Sequence, residues 1–380
     1  MTKKLYYLDA YIKEFDADVL SVSACDGKFS VVLSETAFFP EEGGQSADTG
    51  FIGDARVLDV REENGVIYHI TDKAPKDNPA HCTIDFEERF VKMQCHTAEH
   101  ILCGFIHKLY GLSNVGFHLG DDEVTFDVDG VLDREQLDTI ETLANEAVFA
   151  NVKIDTFFPT PDEISHMEYR SKLDLTEGVR IVKIGDYDSC ACCAPHVSYT
   201  GEIGLIKVLD FMKHRGGTRI WMVAGKRALV DYRTKYENIK KISALTSAPQ
   251  HETAEVLGRY MGESERIKQE LKICRLNLAE KEGSLIPTTS GNLVVNFPEF
   301  SIPELIAFSN VAAPKVSGIL VALSGVDGDY KYVISSSSVN LREEVSKINS
   351  ELSGRGGGKP NMIQGSFLVS LSKIEDYFMK

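Results

Sequence analysis

Two pairs of residues in this chain have the type and spacing of metal ligands. His96 and His100 stand four positions apart in His96-Thr97-Ala98-Glu99-His100. On a helix that step stacks both imidazoles on one face, within reach of a single ion. Cys192 and His196 repeat the step in Cys190-Ala191-Cys192-Cys193-Ala194-Pro195-His196. Three imidazoles and one thiolate form a mixed nitrogen–sulfur set that suits tetrahedral Zn²⁺. One such pair arises often by chance; two in one chain favour a common site. Cys190 and Cys193 flank Cys192, and only the step to His196 singles out Cys192 as the thiol.

The same letters carry a rival reading. His96-x-x-Glu99-His100 matches the inverzincin pattern, in which two His hold zinc and the Glu activates water for peptide hydrolysis. That reading gives Cys192 and His196 no role. Glu99 therefore stands open between a base beside the metal and a solvated carboxylate on a helix surface.

These residues need elements to hold them. The first ninety residues alternate apolar and polar at Val19–Ser23, Phe29–Leu33, Ala55–Val60 and Val66–Ile70, with Gly, Asp and Asn between. A small β-barrel is expected there. It contains Glu35-Thr36-Ala37-Phe38-Phe39-Pro40-Glu41-Glu42-Gly43-Gly44-Gln45, a stretch whose glycines allow a sharp turn or a close approach to a ligand. Helical spacing follows from Phe90 to about Leu112, carrying the His pair. Paired strands are expected over 116–128, and a second helix capped by Asp133 runs to about Ala150. Strands at 179–185, 204–211 and 218–225 surround the cysteine cluster. Helices with a mostly antiparallel sheet indicate an α+β core. From 228 to 285 the chain is polar and helical, broken at Ser247-Ala248-Pro249; it reads as a helical hairpin or a dimerising arm. Beyond Pro287 a small α/β layer is expected, with Gly354-Arg355-Gly356-Gly357-Gly358-Lys359-Pro360 as a flexible rim loop. The expected division is thus 1–89, 90–227, 228–285 and 286–380.

The 380 residues allow two or three domains with ample core, and 43% hydrophobic with 26% charged residues is ordinary for a soluble protein. No apolar run is long enough to span a bilayer, and the amino terminus has no signal-peptide pattern. The cysteines cluster rather than form a framework, so a reducing compartment, the cytoplasm, is expected. The net charge of −16 argues against a broad nucleic-acid surface. From Ile286 onward, 8 Lys+Arg face 9 Asp+Glu, so nearly all the excess lies earlier and the tail is the easier place for a basic patch. No P-loop or dinucleotide fingerprint occurs, so nucleotide-driven activation is not expected.

Taken in order, the stretch 38–45, the pair His96/His100, the run Cys192-Cys193-Ala194-Pro195-His196-Val197 with Thr200-Gly201-Glu202-Ile203-Gly204, and the tail 354–360 resemble the long-form AlaX proteins. These are freestanding relatives of the editing region of alanyl-tRNA synthetase, with a DHHA1-type carboxy-terminal domain. The resemblance covers nearly the whole chain, with departures at Cys193-Ala194-Pro195 and at Glu99. It implies hydrolysis in trans of the ester joining serine, or glycine, to alanine tRNA. It implies Zn²⁺ on His96, His100, Cys192 and His196 and a pocket lined by Thr36 and Gln45; separately, the glycine-freed backbone and two cations of the near-neutral tail lead to the expectation that it holds tRNA through Arg355 and Lys359, against a domain that only dimerises. A pocket shaped for alanine rejects an added hydroxyl by only about 10², whereas a site that hydrogen-bonds that hydroxyl discriminates by about 10⁴ or more. Four protein donors mark a structural metal; a loose one would let the metal activate water, with Glu99 as base. A homodimer through the arm or tail is a further expectation.

Overall fold

In a computed structural model, which describes residues 1–120, 123–171 and 178–379, the chain is α+β and divides into two compact units, Met1–Ile239 and Lys240–Lys380. The alternating strands of the first ninety residues pair into one antiparallel sheet. Its order is Glu14–Ala17, Ala80–Ile84, Gly50–Ile52, Ala55–Glu63, Val66–Thr71, Lys28–Leu33, Val19–Cys25. The end strands do not pair with each other among the described residues, so the expected barrel is an open, curled sheet. The strand that would close it, Glu14–Ala17, is short and bonds only along Ala80–Ile84.

The helix carrying the His pair spans Phe86–Tyr110. It begins four residues before the apolar pattern, because Asp85 precedes a first turn bearing Glu87 and Glu88, where carboxylates favour the helix N-terminus. Gly111, at φ +68°, ends it. The expected cap is present on Arg134–Phe149: Asp133 accepts from Gln136 N and Gln136 returns a bond to Asp133 N. A four-stranded antiparallel sheet runs Asn114–Leu119, Val124–Val128, Gly217–Ala224, Ile206–His214. Residues 121 and 122 of the hairpin read at 116–128 lie outside the described residues. Ile101, Leu102, Phe126, Ile140, Ile220 and Met222 share a core with both. A three-stranded sheet, Ile154–Phe157, Ile181–Ile184, Asp188–Ala191, delivers the cysteine segment.

The break at Ser247-Ala248-Pro249 separates the helices Gly225–Thr246 and Thr253–Leu285. On the second, Leu257, Tyr260, Ile267, Leu271 and Leu278 are exposed. The second unit also contains a five-stranded sheet in the order Leu293–Asn296, Ile319–Val326, Asp329–Ser336, Met362–Phe367, Gly354–Lys359. The glycine-rich tail is therefore a paired edge strand and not a rim loop. Glycine weakens strands in general, but here it is required. Gly356 and Gly365 face each other in register, and a Cβ on either would run into the Tyr332 hydroxyl, whose ring stacks on Phe367 at 4.2 Å. Among the described residues, no helix is long and apolar enough to cross a membrane.

Candidate metal centre and cavity

The helix Phe86–Tyr110 buries polar side chains along its middle: Arg89, Lys92, Gln94, His96, Thr97, Glu99 and His100. Two clamps tie the loop 37–48 to it. Arg89 pairs with Asp48 and donates to Ala37 O at 2.5 Å, and Lys92 donates to Ala47 O at 2.6 Å. Asp48 in turn accepts from Phe39 N at 2.6 Å. The loop can turn there because Gly43 and Gly44 adopt φ of +62° and +83°. Leu119 N bonds Gly44 O at 2.7 Å and fixes its far side.

His96, His100, Cys192 and His196 converge. One donor atom from each lies within 4.8 Å of the others. Cys192 Sγ is 3.6 Å from His96 Nε2 and 3.3 Å from His196 Nε2. Each imidazole is held from behind through Nδ1. His96 meets Gln45 Oε1 at 2.8 Å, His100 meets Asp188 Oδ2 at 3.1 Å, and His196 meets Thr97 Oγ1 at 3.0 Å. Thr97 gives its own proton to Met93 O at 2.7 Å, so it can only accept from His196. Three Nδ1–H groups facing acceptors leave three Nε2 lone pairs directed at one point, which is the arrangement an ion needs. Arg170 grips Asp188 with two bonds, at 2.7 and 2.8 Å, and fixes that carboxylate.

The electrostatics agree with this donor set. Burial pushes His196 down to about 3, so it is a neutral ligand. Burial acts to raise the Cys192 thiol, but His96 first, with hydrogen bonds from His100 and His196, outweighs it and holds it well below the usual range, as thiolate. Burial acts to lower His100, yet Cys190, Asp188 and Cys192 together raise it; groups that retain a proton there would equally attract a divalent cation. Cys190 is pushed up to about 11, chiefly by burial, which favours Cys192 over it as the thiolate. The donor set and tautomers therefore fit Zn²⁺ as a four-donor, closed site.

The cluster forms part of the wall of a cavity of about 830 Å³. Glu42, Glu99, Asn114, Phe117, Arg170 and Arg180 are also on that wall. Phe117 packs on His96 at 4.7 Å. Thr36 and Gln45, expected on the wall, are instead fully buried behind it. Gln45 spends its carbonyl on His96. Thr36 Oγ1 accepts from Phe38 N at 3.1 Å and meets His69 Nε2 at 2.9 Å. His69 bonds Val31 O through Nδ1, so its Nε2 takes the Thr36 proton, and burial lowers it to about 4 and keeps it neutral. Glu99 is 4% exposed, which rules out the solvated helix carboxylate. Arg355 and Lys359 belong to the second unit, both exposed on its edge strand. Asp188, Thr97, Arg170 and Asn114 escaped sequence reasoning. Only Asp188, adjoining the cysteine cluster, carried any hint.

A family model described as the threonyl and alanyl tRNA synthetase second additional domain matches residues 179–223, which include Cys192 and His196. The alanyl-tRNA editing protein AlaX-L of Pyrococcus horikoshii is 29% identical, over 99% of this chain and 97% of that protein. The alanine–tRNA ligase of Halobacterium salinarum is 33% identical over 86% of this chain, and that of Pyrococcus abyssi 29% identical over 99%. The chain spans only 38% and 43% of those two ligases. Among solved structures, the C-Ala domain of Aquifex aeolicus alanyl-tRNA synthetase aligns with 23% of this chain and 87% of that domain at 18% identity and a TM-score of 0.21, too low to bear on the fold.

Proposed function

We propose that this chain, which is similar to an AlaX-L protein along nearly its whole length, is an editing hydrolase that acts in trans on mischarged alanine tRNA. Water adds to the carbonyl of the aminoacyl ester, and the free amino acid and the terminal ribose hydroxyl leave. The observation that carries this reading is the convergence of three imidazoles and one thiolate, of which His96, His100 and Cys192 line a cavity of about 830 Å³. Such a volume suits an amino acid with its terminal nucleoside.

His96, His100, Cys192 and His196 would hold Zn²⁺, which when bound supplies a fixed structural centre for the pocket. Gln45, Asp188 and Thr97 keep the imidazoles in the binding tautomer. The four-donor set also weakens the peptidase alternative, which needs an open coordination position. Thr36 is the proposed reader of the serine hydroxyl. With its proton committed to His69 and Phe38 N on its oxygen, it keeps one lone pair, which would reach the serine hydroxyl only once the wall that now buries it moves aside. Thr36→Val should then reduce the preference for seryl over alanyl ester, and an unchanged ratio would remove it from that role. In the tail, strand alternation puts Arg355 and Lys359 on one face with Gly357 between, an arrangement suited to the phosphates of the tRNA body. A second copy along the exposed apolar residues of Thr253–Leu285 is the proposed dimer contact. The cytoplasm is the proposed compartment.

The decisive experiment is deacylation of alanine tRNA charged with serine, glycine or alanine, with and without a strong chelator. Faster loss of serine or glycine than of alanine, diminished once the metal is stripped, is expected. No hydrolysis of any of the three esters would overturn the reading.

A further inference from the structure

Among the described residues, Glu99 is a buried carboxylate with which no cation pairs. The other buried carboxylates all have one: Asp48 pairs with Arg89, Asp188 with Arg170 and His100, and Glu304 with Arg275. Among the described residues no Lys, Arg or His nitrogen pairs with Glu99. It has two neutral donors, Asn114 Nδ2 and Cys103 Sγ, the latter at 3.1 Å, and both address Oε1. Asn114 cannot turn away, because its Oδ1 accepts from Gly116 N at 3.0 Å. Burial, with the Glu99 carboxylate beside it, holds Cys103 as a thiol, so its S–H remains a donor. Oε2 has no hydrogen-bond partner among the described residues, and the side chain lies on the cavity wall beside His96 and His100.

An ionised carboxylate at 4% exposure is costly unless paired. Here two neutral hydrogen bonds fix one oxygen and leave the other facing a space that a ligand enters. With no partner among the described residues, a cationic group on the ligand would complete the pair. Glu42 shares the wall but is exposed, so water already solvates it.

On the aminoacyl-ester reading of the cavity, the substrate carries one cation close to its reacting carbonyl, the α-ammonium group. We propose that Glu99 Oε2 binds the α-ammonium of the esterified amino acid, so that a free α-amino group is a requirement for hydrolysis. This is a recognition role, distinct from that of a base, which would take a proton from water whatever the amino group carried. The contact would also register the ester carbonyl along the wall, since the two groups share a carbon atom.

The test compares alanine tRNA esterified with serine and with glyceric acid, in which a hydroxyl of similar size replaces the ammonium. kcat/KM is measured for both esters with the full wild-type chain, Glu99→Gln and Glu42→Gln, together with the zinc content of each. Beyond the difference in uncatalysed rates, the wild type should prefer the seryl ester by about 30-fold or more, the cost of unpairing a buried hydrogen-bonded charge. Glu99→Gln should lower the seryl value, hold the glyceryl value and retain zinc, so that the preference collapses; Glu42→Gln should keep it. Equal loss on both esters in Glu99→Gln would make Glu99 a base or a structural group and overturn the proposal. So would a preference that survives in Glu99→Gln, or that vanishes in Glu42→Gln instead. Should Glu99→Gln fail to fold, Glu99→Asp takes its place, with the seryl value lowered and the glyceryl value held; a wild type without the preference overturns the proposal unaided. A wild type that hydrolyses neither ester overturns the editing reading and this role together.

Discussion

Gly43 and Gly44 sit at φ of +62° and +83°, whereas Gly354, Gly356, Gly357 and Gly358 keep the extended backbone of a paired strand. Both stretches are glycine-rich, and from composition both read as loops. In the first, glycine is needed for its backbone freedom: the chain reverses and delivers Gln45 to His96. In the second, it is needed for its missing side chain: two strands approach beneath Tyr332 with nothing between them. The two uses fail differently when a methyl group is added, and only the first lies in the unit that holds the four converging donors.

The largest effect is expected at Gly44→Ala. The left-handed backbone conformation is strained for alanine, and the new Cβ would meet the Phe117 carbonyl. A loss of roughly 3 kcal/mol in unfolding free energy is expected, with reduced zinc content by elemental analysis as Gln45 is displaced. Retained zinc and stability would mean that the loop is not what holds Gln45.

Gln45→Ala isolates the side chain from the turn. Removing the acceptor of His96 Nδ1 should weaken zinc binding by about 10- to 100-fold in a competition titration while the thermal midpoint of the metal-loaded protein changes little. Unchanged affinity would break the link between the first glycine stretch and the metal.

In the tail, Gly356→Ala should cost about 1–2 kcal/mol or more, because its Cβ would meet the Tyr332 hydroxyl and the Gln364 carbonyl, whereas Gly357→Ala, whose Cβ would point into open space, should cost less than about 0.5 kcal/mol. Denaturant unfolding of the two variants decides this. Equal effects would show that the strand responds to backbone entropy rather than to the close approach.

The smallest effect on stability belongs to Arg355→Ala with Lys359→Ala. The unfolding midpoint should not move, while affinity for uncharged alanine tRNA falls several-fold and the salt slope of log K drops by roughly 0.7–0.9 for each phosphate no longer neutralised. A salt slope identical to that of the wild type would leave the edge strand without a nucleic-acid role.

What the sequence made legible was local. The two four-residue steps picked out the four converging side chains, Asp133 announced its capping box, and Ser247-Ala248-Pro249 marked a helix break. What it concealed was pairing across long separations: Asp188 behind His100, Asp48 against Arg89, Asn114 on Glu99. Such pairings have no period, and each residue alone is an ordinary surface type. The inward turn of Thr36 was hidden for the same reason, because its partner His69 sits on a strand that reads simply as alternating. The edge strand was misread because propensity counts glycine against a strand, while the Tyr332 hydroxyl, reaching across from two strands away, leaves no room for a Cβ.

The donors at His96 and Cys192 are 96 residues apart in the chain. During synthesis, at about 5–20 residues per second, the His pair waits roughly 5 to 20 s for its thiolate. Through that interval a growing chain presents two imidazoles whose partners do not yet exist, and it cannot retain the ion as the finished chain would. On the proposed reading, capture of the metal would be a late event in this protein's assembly, and an unfinished copy would lack the complete donor set.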